Sequence, residues 1–315
     1  MSNALVSAVR SIVTRVKSIA ESRILYEEGL GLTCTGEEEI TAAQVEGLWG
    51  LNSGIARVAQ FAQAGEPCGM VELVEWSEGL DEHIRDPHSP RDYGWLTNNQ
   101  ITSNMQRGLE KLSRYGARAI SEPKEYMATR RITETMIDTA TGERLTLIQA
   151  GEPTAGPPFG LAVGTFGASV PDYDASIKFY RDALGLTVAF AMNHTGAPFD
   201  ALLGAPEGTR LRMALMTSDG NWTGKYEALE LNVPAGNAAA NDANPRAADG
   251  LRNGYWMASA YAKADLELIA EMVVVGGGTV LRGPVELNRP CVGLARAMVA
   301  RAPGGELLEI LSESS

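Results

Sequence analysis

The chain has 315 residues, 44% hydrophobic and 21% charged, an ordinary globular composition with ample apolar material for a core. That length suits two domains better than one, and the net charge of −12 argues against a nucleic-acid or anionic-membrane partner. Three cysteines, Cys34, Cys68 and Cys291, form no closed disulfide set and lack metal-site spacing, which points to a reducing compartment. No uninterrupted apolar run reaches membrane-spanning length. Arg10, Arg15, Lys17 and Arg23 interrupt what would have to be the apolar core of a signal peptide, so a cytoplasmic location is expected.

Along the chain, Val6 to Val16 alternates as a strand, 19–30 reads as a helix, and Leu32 to Thr35 returns as a strand. Gly54 to Phe61 and Gly69 to Trp76 alternate apolar and polar residues, completing a β-α-β-β-β unit. Glu78 to Asp92, rich in charge and proline, reads as a linker. It contains His83 and His88, but Pro87 forbids a helix presenting both on one face, so a solvated loop is the simpler reading. A second unit follows: a weak strand over 95–101, a helix over 105–115 ending at Gly116, and strands over 117–121, 129–137 and 144–149. Gly151 to Pro158 is the clearest boundary in the chain.

After the boundary the pattern restarts. Val170 ends an apolar run, Pro171 and Asp172 break it, and Asp174 is placed to cap a helix. Ile177, Tyr180, Ala183 and Leu184 form the buried stripe of that helix, and Gly185 supplies a left-handed C-terminal cap. Strands over 187–192, 210–216 and 226–233 complete the third unit. An Ala/Asn-rich linker, 234–252, leads to a fourth with strands at 255–261, 279–282, 294–300 and 306–311 and a helix at 265–275. Ser22, Tyr26, Leu30, Gly31, Leu32 and Thr33 recur as Ser176, Tyr180, Leu184, Gly185, Leu186 and Thr187, at a constant offset of 154. Identities on the stripe and the cap together argue duplication of the fold. The expected class is therefore α+β: four βαβββ modules (1–77, 93–150, 159–233 and 253–312) in two tandem pairs. The N-terminal domain is 1–150, the linker 151–158, and the C-terminal domain 159–315.

With these residues in view, the chain resembles the vicinal oxygen chelate superfamily, which includes glyoxalase I, fosfomycin- and bleomycin-resistance proteins and extradiol dioxygenases. The resemblance rests on Val170-x-Asp172-x-x-x-Ser176-x-x-Phe179-Tyr180-x-x-x-Leu184-Gly185-Leu186 and on the closing Pro303 to Leu311. It implies that each pair of modules curls into a half-open mixed β-barrel with a concave pocket. It leaves open whether pockets form within one chain or across a homodimer. In that superfamily a divalent metal is held by residues on the first and last strand of each module. Carried over, the first-strand positions fall on Ser11, Thr97, Thr165 and approximately Ala258, and the last-strand positions on Glu72, Thr146, Glu230 and Glu309. No histidine or glutamine stands among the first-strand residues, so no cofactor is favoured. If a metal were bound, Glu230 and Glu309 would be its ligands.

Alternation predicts that Glu230 and Glu309 face the concave side of the C-terminal pair and approach each other, with separated proton affinities suited to acid–base work. Glu72 faces Thr146 in the N-terminal pair, which is therefore expected to be the less equipped half. His194 is a candidate base, and Thr165, Met213, Trp222, Tyr226 and Trp256 are candidate substrate contacts in a wide apolar pocket. The function expected is a lyase or isomerase moving protons on an oxygenated, hydrophobic or aromatic small molecule. The alternatives are a protein that sequesters such a molecule, and a metal enzyme with an irregular ligand set.

Overall fold

The structure is a computed structural model describing residues 4–52, 54–84, 92–160, 163–234 and 250–313. His88 and most of the Ala/Asn-rich connector, 235–249, lie outside the described residues. The first module runs β1 (Val6–Arg15), α1 (Ile19–Ile24), β2 (Thr33–Ile40), α2 (Ala42–Trp49), β3 (Ala56–Ala62) and β4 (Met70–Trp76). The second runs β5 (Gly94–Ile101), α3 (Met105–Ser113), two short strands β6 (Arg118–Ala119) and β7 (Lys124–Met127), β8 (Arg131–Asp138) and β9 (Arg144–Ala150). The third is β10 (Val163–Ser169), α4 (Tyr173–Lys178), β11 (Thr187–Thr195), α5 (Phe199–Leu202), β12 (Arg210–Thr217) and β13 (Lys225–Asn232). The fourth is β14 (Gly254–Ala262), α6 (Leu266–Val275), β15 (Thr279–Arg289), β16 (Gly293–Arg301) and β17 (Leu307–Glu313).

The expected α+β class and the four βαβββ modules are present. Within each module the helix carries the chain over, so that first and last strands lie parallel: β1 beside β4, β5 beside β9, β10 beside β13 and β14 beside β17. Each first strand is left with one open edge, and that edge must be covered. The partner is not the next module in sequence. β1 pairs antiparallel with β14, giving a first sheet ordered β15-β16-β17-β14-β1-β4-β3-β2. β5 pairs antiparallel with β10, giving a second sheet ordered β11-β12-β13-β10-β5-β9-β8-β6. The division into 1–150 and 159–315 is corrected accordingly: each half-open sheet takes one module from each half of the chain. Gly151–Pro158, expected to separate domains, belongs to a connector between two strands of one sheet, β9 and β10, which flank β5, while 77–93 and 233–253 join strands of different sheets. Periodicity defines a module and its open edge but not which other module covers that edge. Both sheets are complete within one chain.

The duplicated residues occupy matching places. Tyr26 and Tyr180, Leu30 and Leu184, and Leu32 and Leu186 are all buried in one core that the convex faces and module helices share. In both repeats the helix widens into a π-helical turn, Leu25–Gly29 and Phe179–Ala183, and closes at a glycine of positive φ, Gly31 and Gly185. The cap of α4 is Asp172, whose carboxylate accepts the Ala175 N–H at 2.9 Å. Asp174, expected to be the cap, lies one turn position further on and pairs with Arg212 at 2.6 Å.

Candidate active site

The third residue of each module's closing strand is Glu72 on β4, Thr146 on β9, Glu227 on β13 and Glu309 on β17. Sheet pairing groups these as Glu72 with Glu309, and Glu227 with Thr146.

On the first sheet described side chains pack over the concave face. Helix α2, opened by a Thr41–Gln44 capping box, lays Val45, Leu48 and Trp49 against Val13, Val74 and Val299. Trp49, Trp76 and Trp256 pack edge to face, with ring centroids 5.3 to 5.8 Å apart. Beneath them Glu72, fully buried, accepts hydrogen bonds from Ser11 Oγ (2.8 Å), Gln60 Nε2 (3.2 Å), Arg289 Nη2 (3.0 Å) and Arg10 Nη1. Arg289 also donates to Glu38 (2.7 Å) and lies 4.0 Å from Glu309, which accepts from Trp49 Nε1 (3.0 Å) and Ser259 Oγ (2.9 Å). Burial alone would raise the Glu72 carboxyl, but Arg10 and Arg289 outweigh it and hold it down at about 2. Two guanidiniums thus sit among three carboxylates where an approaching ligand would have to enter.

On the second sheet the concave face encloses a cavity of about 370 Å³. Short helix α5, following the second strand of its module as α2 does, covers only part of it through Phe199, Leu202 and Leu203. The remaining walls are largely apolar, among them Phe190, Met192, Met213 and Leu215. Two carboxylates line it. Glu227 is pushed up to about 8 by burial and then by the neighbouring Glu134, against one stabilising hydrogen bond from Asn99 Nδ2 at 3.0 Å. Glu134, on β8, is raised by burial to about 7 and accepts a hydrogen bond from the Tyr126 hydroxyl. Burial together with Glu134 keeps the Tyr126 phenol protonated. Two carboxyls raised by burial at one apolar cavity, Glu227 further by Glu134, give an acid and a base near neutrality.

The structure separates the residues expected to act together. Glu230 and Glu309 stand on different sheets, and Glu230 lies on the helix side of β13. There it accepts the Tyr173 N–H at 3.3 Å and lies 3.5 Å from Arg212. The cause is the face: both sides of β13 are buried, so alternation fixes the period but not the side, and Lys225, Glu227 and Leu229 line the cavity instead. His194 bonds through Nε2 to Ala197 O (2.8 Å), packs on Phe199, and does not line the cavity. Thr165 and Met213 do line it. Tyr226 faces the shared core, donating to Ser7 O at 3.2 Å; Trp256 belongs to the first sheet, and Trp222 is half exposed beside Lys225. Glu227, Glu134, Tyr126 and Asn99 were missed. Only the structural strand starts put Glu227 third on its strand, as Glu72 and Glu309 are on theirs.

The positions at which the resemblance places metal ligands do not fit a divalent cation. In the first sheet they are Ser11, Glu72, Glu309 and approximately Ala258, whose neighbour Ser259 donates to Glu309; both carboxylates already lie beside a guanidinium. In the second they are Glu230, which lies on the helix side against Tyr173 and Arg212, and Thr97, Thr146 and Thr165, of which Thr97 and Thr146 bond each other at 2.7 Å; Glu227, on the cavity side of the same strand, holds its proton near pH 7. Among the described residues no group of three or more His, Cys, Asp and Glu side chains could hold a metal ion. Nor is any described helix long and apolar enough to cross a membrane.

Comparison with known proteins agrees with this architecture. Residues 162–310 match the model of the Glyoxalase/Bleomycin resistance protein/Dioxygenase superfamily. Among curated proteins none matches the sequence significantly. Of solved structures, a point mutant of glyoxalase I from Zea mays superposes with a TM-score of 0.66 at 17% identity, covering 97% of this chain and 92% of that one. A putative dioxygenase from Bacillus subtilis gives 0.60 at 13% identity, covering 100% and 87%. At these identities the likeness is one of fold.

Proposed function

Because residues 162–310 match the glyoxalase, bleomycin-resistance and dioxygenase superfamily model and the chain shares the fold of glyoxalase I, we propose that its second sheet carries an acid–base site for a largely apolar, oxygenated small molecule. The reaction would be proton transfer next to a carbonyl, as in a lyase or isomerase. The supporting observation is the pair Glu227 and Glu134, two buried carboxylates raised to about 8 and about 7 at the wall of an apolar cavity. Near neutrality Glu227 enters as the acid and Glu134, the weaker holder of its proton, as the base. Asn99 fixes the orientation of Glu227 and Tyr126 that of Glu134. The cavity size suits a small organic molecule. Neither donor set fits a metal, so no step is routed through one.

A second reading is supported by the same walls: the apolar lining suits a protein that only sequesters a drug-like or aromatic molecule. Deuterium exchange separates the two. The protein is incubated in D₂O with a panel of aromatic ketones and 2-oxo acids, and loss of the proton next to the carbonyl is followed by NMR. The enzyme reading expects catalysed exchange that falls about 10²–10⁴-fold in Glu227→Gln and Glu134→Gln, with ligand affinity retained. Binding without exchange, or exchange indifferent to both substitutions, contradicts it.

A further inference from the structure

The cavity carries an unbalanced set of polar groups that the acid–base pair does not use. Lys225, Thr165 and Asn99 occupy one row across three adjacent strands. Lys225 is opposite Thr165 in the parallel β10–β13 register, and Thr165 is opposite Asn99 in the antiparallel β10–β5 register. All three line the cavity. With strands about 4.8 Å apart, the row spans roughly 10 Å. The Lys225 ammonium donates to Trp222 O and lies 5.9 Å from the Trp222 ring centroid, and among the described residues no carboxylate pairs with it. Burial lowers its proton affinity without an opposing charge. At the other end, Asn99 is buried; its amide N–H is used on Glu227 while its Oδ1 has no hydrogen-bond partner. Buried polar atoms are ordinarily satisfied, so an orphan acceptor on a cavity wall asks for a donor from whatever fills the cavity. Arg130, exposed and also lining the cavity, adds a second positive charge. Lys225 and Arg130 thus place two cations at the cavity of a chain whose net charge is −12.

We propose that the ligand is a hydroxylated, flat carboxylate, its anionic oxygens on Lys225 and Thr165, its hydroxyl donating to Asn99 Oδ1, and its ring against the Phe190 and Met213 wall. This deepens the proposed function and rests on it. A neutral apolar molecule leaves the ammonium without a counter-charge and the amide oxygen without a donor, and a site with buried polar groups discriminates against ligands that cannot satisfy them.

Isothermal calorimetry at pH 7 with three probes tests it: 4-hydroxy-2-naphthoate, whose hydroxyl is too far from its own carboxylate to donate to it, its methyl ester, and 2-naphthoate. The hydroxy acid should bind the wild type at least about tenfold more tightly than the ester, a difference of about 1.4 kcal/mol. Lys225→Met should erase that preference and Lys225→Arg should keep most of it. The hydroxy acid should also exceed 2-naphthoate by about fivefold, and Asn99→Leu should remove that second difference. An ester that binds as well as the acid, or a preference that survives Lys225→Met, overturns the inference while leaving an apolar site standing. Failure of all three probes to bind overturns the cavity reading with it.

Discussion

The two concave faces grow from the same module and end in opposite charge states. In the first sheet the closing-strand glutamates meet Arg10 and Arg289; Glu72 is ionised, and helix α2 with three tryptophans packs over it. In the second, no guanidinium reaches Glu227 or Glu134 among the described residues. The shorter helix α5 leaves a cavity, and burial drives both carboxyls towards the neutral form. Charge satisfied internally makes a strut. Charge left unsatisfied makes a site that a ligand can complete. The duplicated backbone does not decide between them; the residues at the end of β15 and on the segment after the second strand do.

The comparison can be broken most severely at Arg289. Arg289→Met should cost about 3–5 kcal/mol of unfolding free energy at pH 7, because Glu38 and Glu72 lose a buried counter-charge. Urea denaturation reads the loss; a change below ~1 kcal/mol would mean the network is not a strut. Ligand affinity in the second sheet should be unchanged.

Next come opposite responses to pH. Glu72 is depressed from 4.5 to about 2, so the stability it contributes is present above about 4.5 and lost as pH falls towards 2. Glu227 and Glu134 are raised from 4.5 to about 8 and about 7. Between those limits the folded chain keeps protons that the unfolded chain releases, so stability falls as pH rises, by at most ~1.4 kcal/mol per pH unit for each group. Glu227→Gln keeps no ionisable proton there. Its thermal midpoint should rise relative to the wild type as pH goes from 5 to 8.5, and Glu72→Gln should show no such gain. Parallel curves for Glu227→Gln and wild type would remove the proposed asymmetry.

Smaller effects sharpen the boundary. Trp49→Phe keeps an aromatic side chain but removes the second ring of the indole and strips Glu309 of its Nε1–H donor; the lost hydrogen bond alone should cost about 1–3 kcal/mol in the same denaturation assay. His194→Gln, outside the cavity, should stay within ~0.5 kcal/mol of wild type and leave ligand affinity unchanged in calorimetry.

Much of the fold is legible in the sequence, because module boundaries are written in local signals: the buried stripe at Tyr26 and Tyr180, the glycines at 31 and 185, and the alternation of β3, β4 and β12. Strand partnership is not, since the open edges of β1, β5, β10 and β14 are chemically alike. The site was half legible. Thr165 and Met213 were expected at the pocket and line it, but Glu230 was taken for Glu227 because both faces of β13 are apolar. Glu134 and Tyr126 stand on β8 and β7, strands that carry no repeat motif, and only tertiary pairing brings them to Glu227's cavity. Helix α2 was also missed, although Thr41-Ala-Ala-Gln44 spells its capping box.

The most direct test is a carboxyl titration. With ¹³C-labelled glutamate, side-chain resonances followed by NMR from pH 2 to 10, and assigned with Glu72→Gln, Glu134→Gln and Glu227→Gln, should show two apparent midpoints near 7 and 8 that belong to the Glu134–Glu227 pair. The Glu72 resonance should remain that of a carboxylate down to about 2. If the pair instead titrates near 4.5 with the surface glutamates, the cavity holds ordinary carboxylates and the contrast between the two faces, on which the functional reading stands, is wrong.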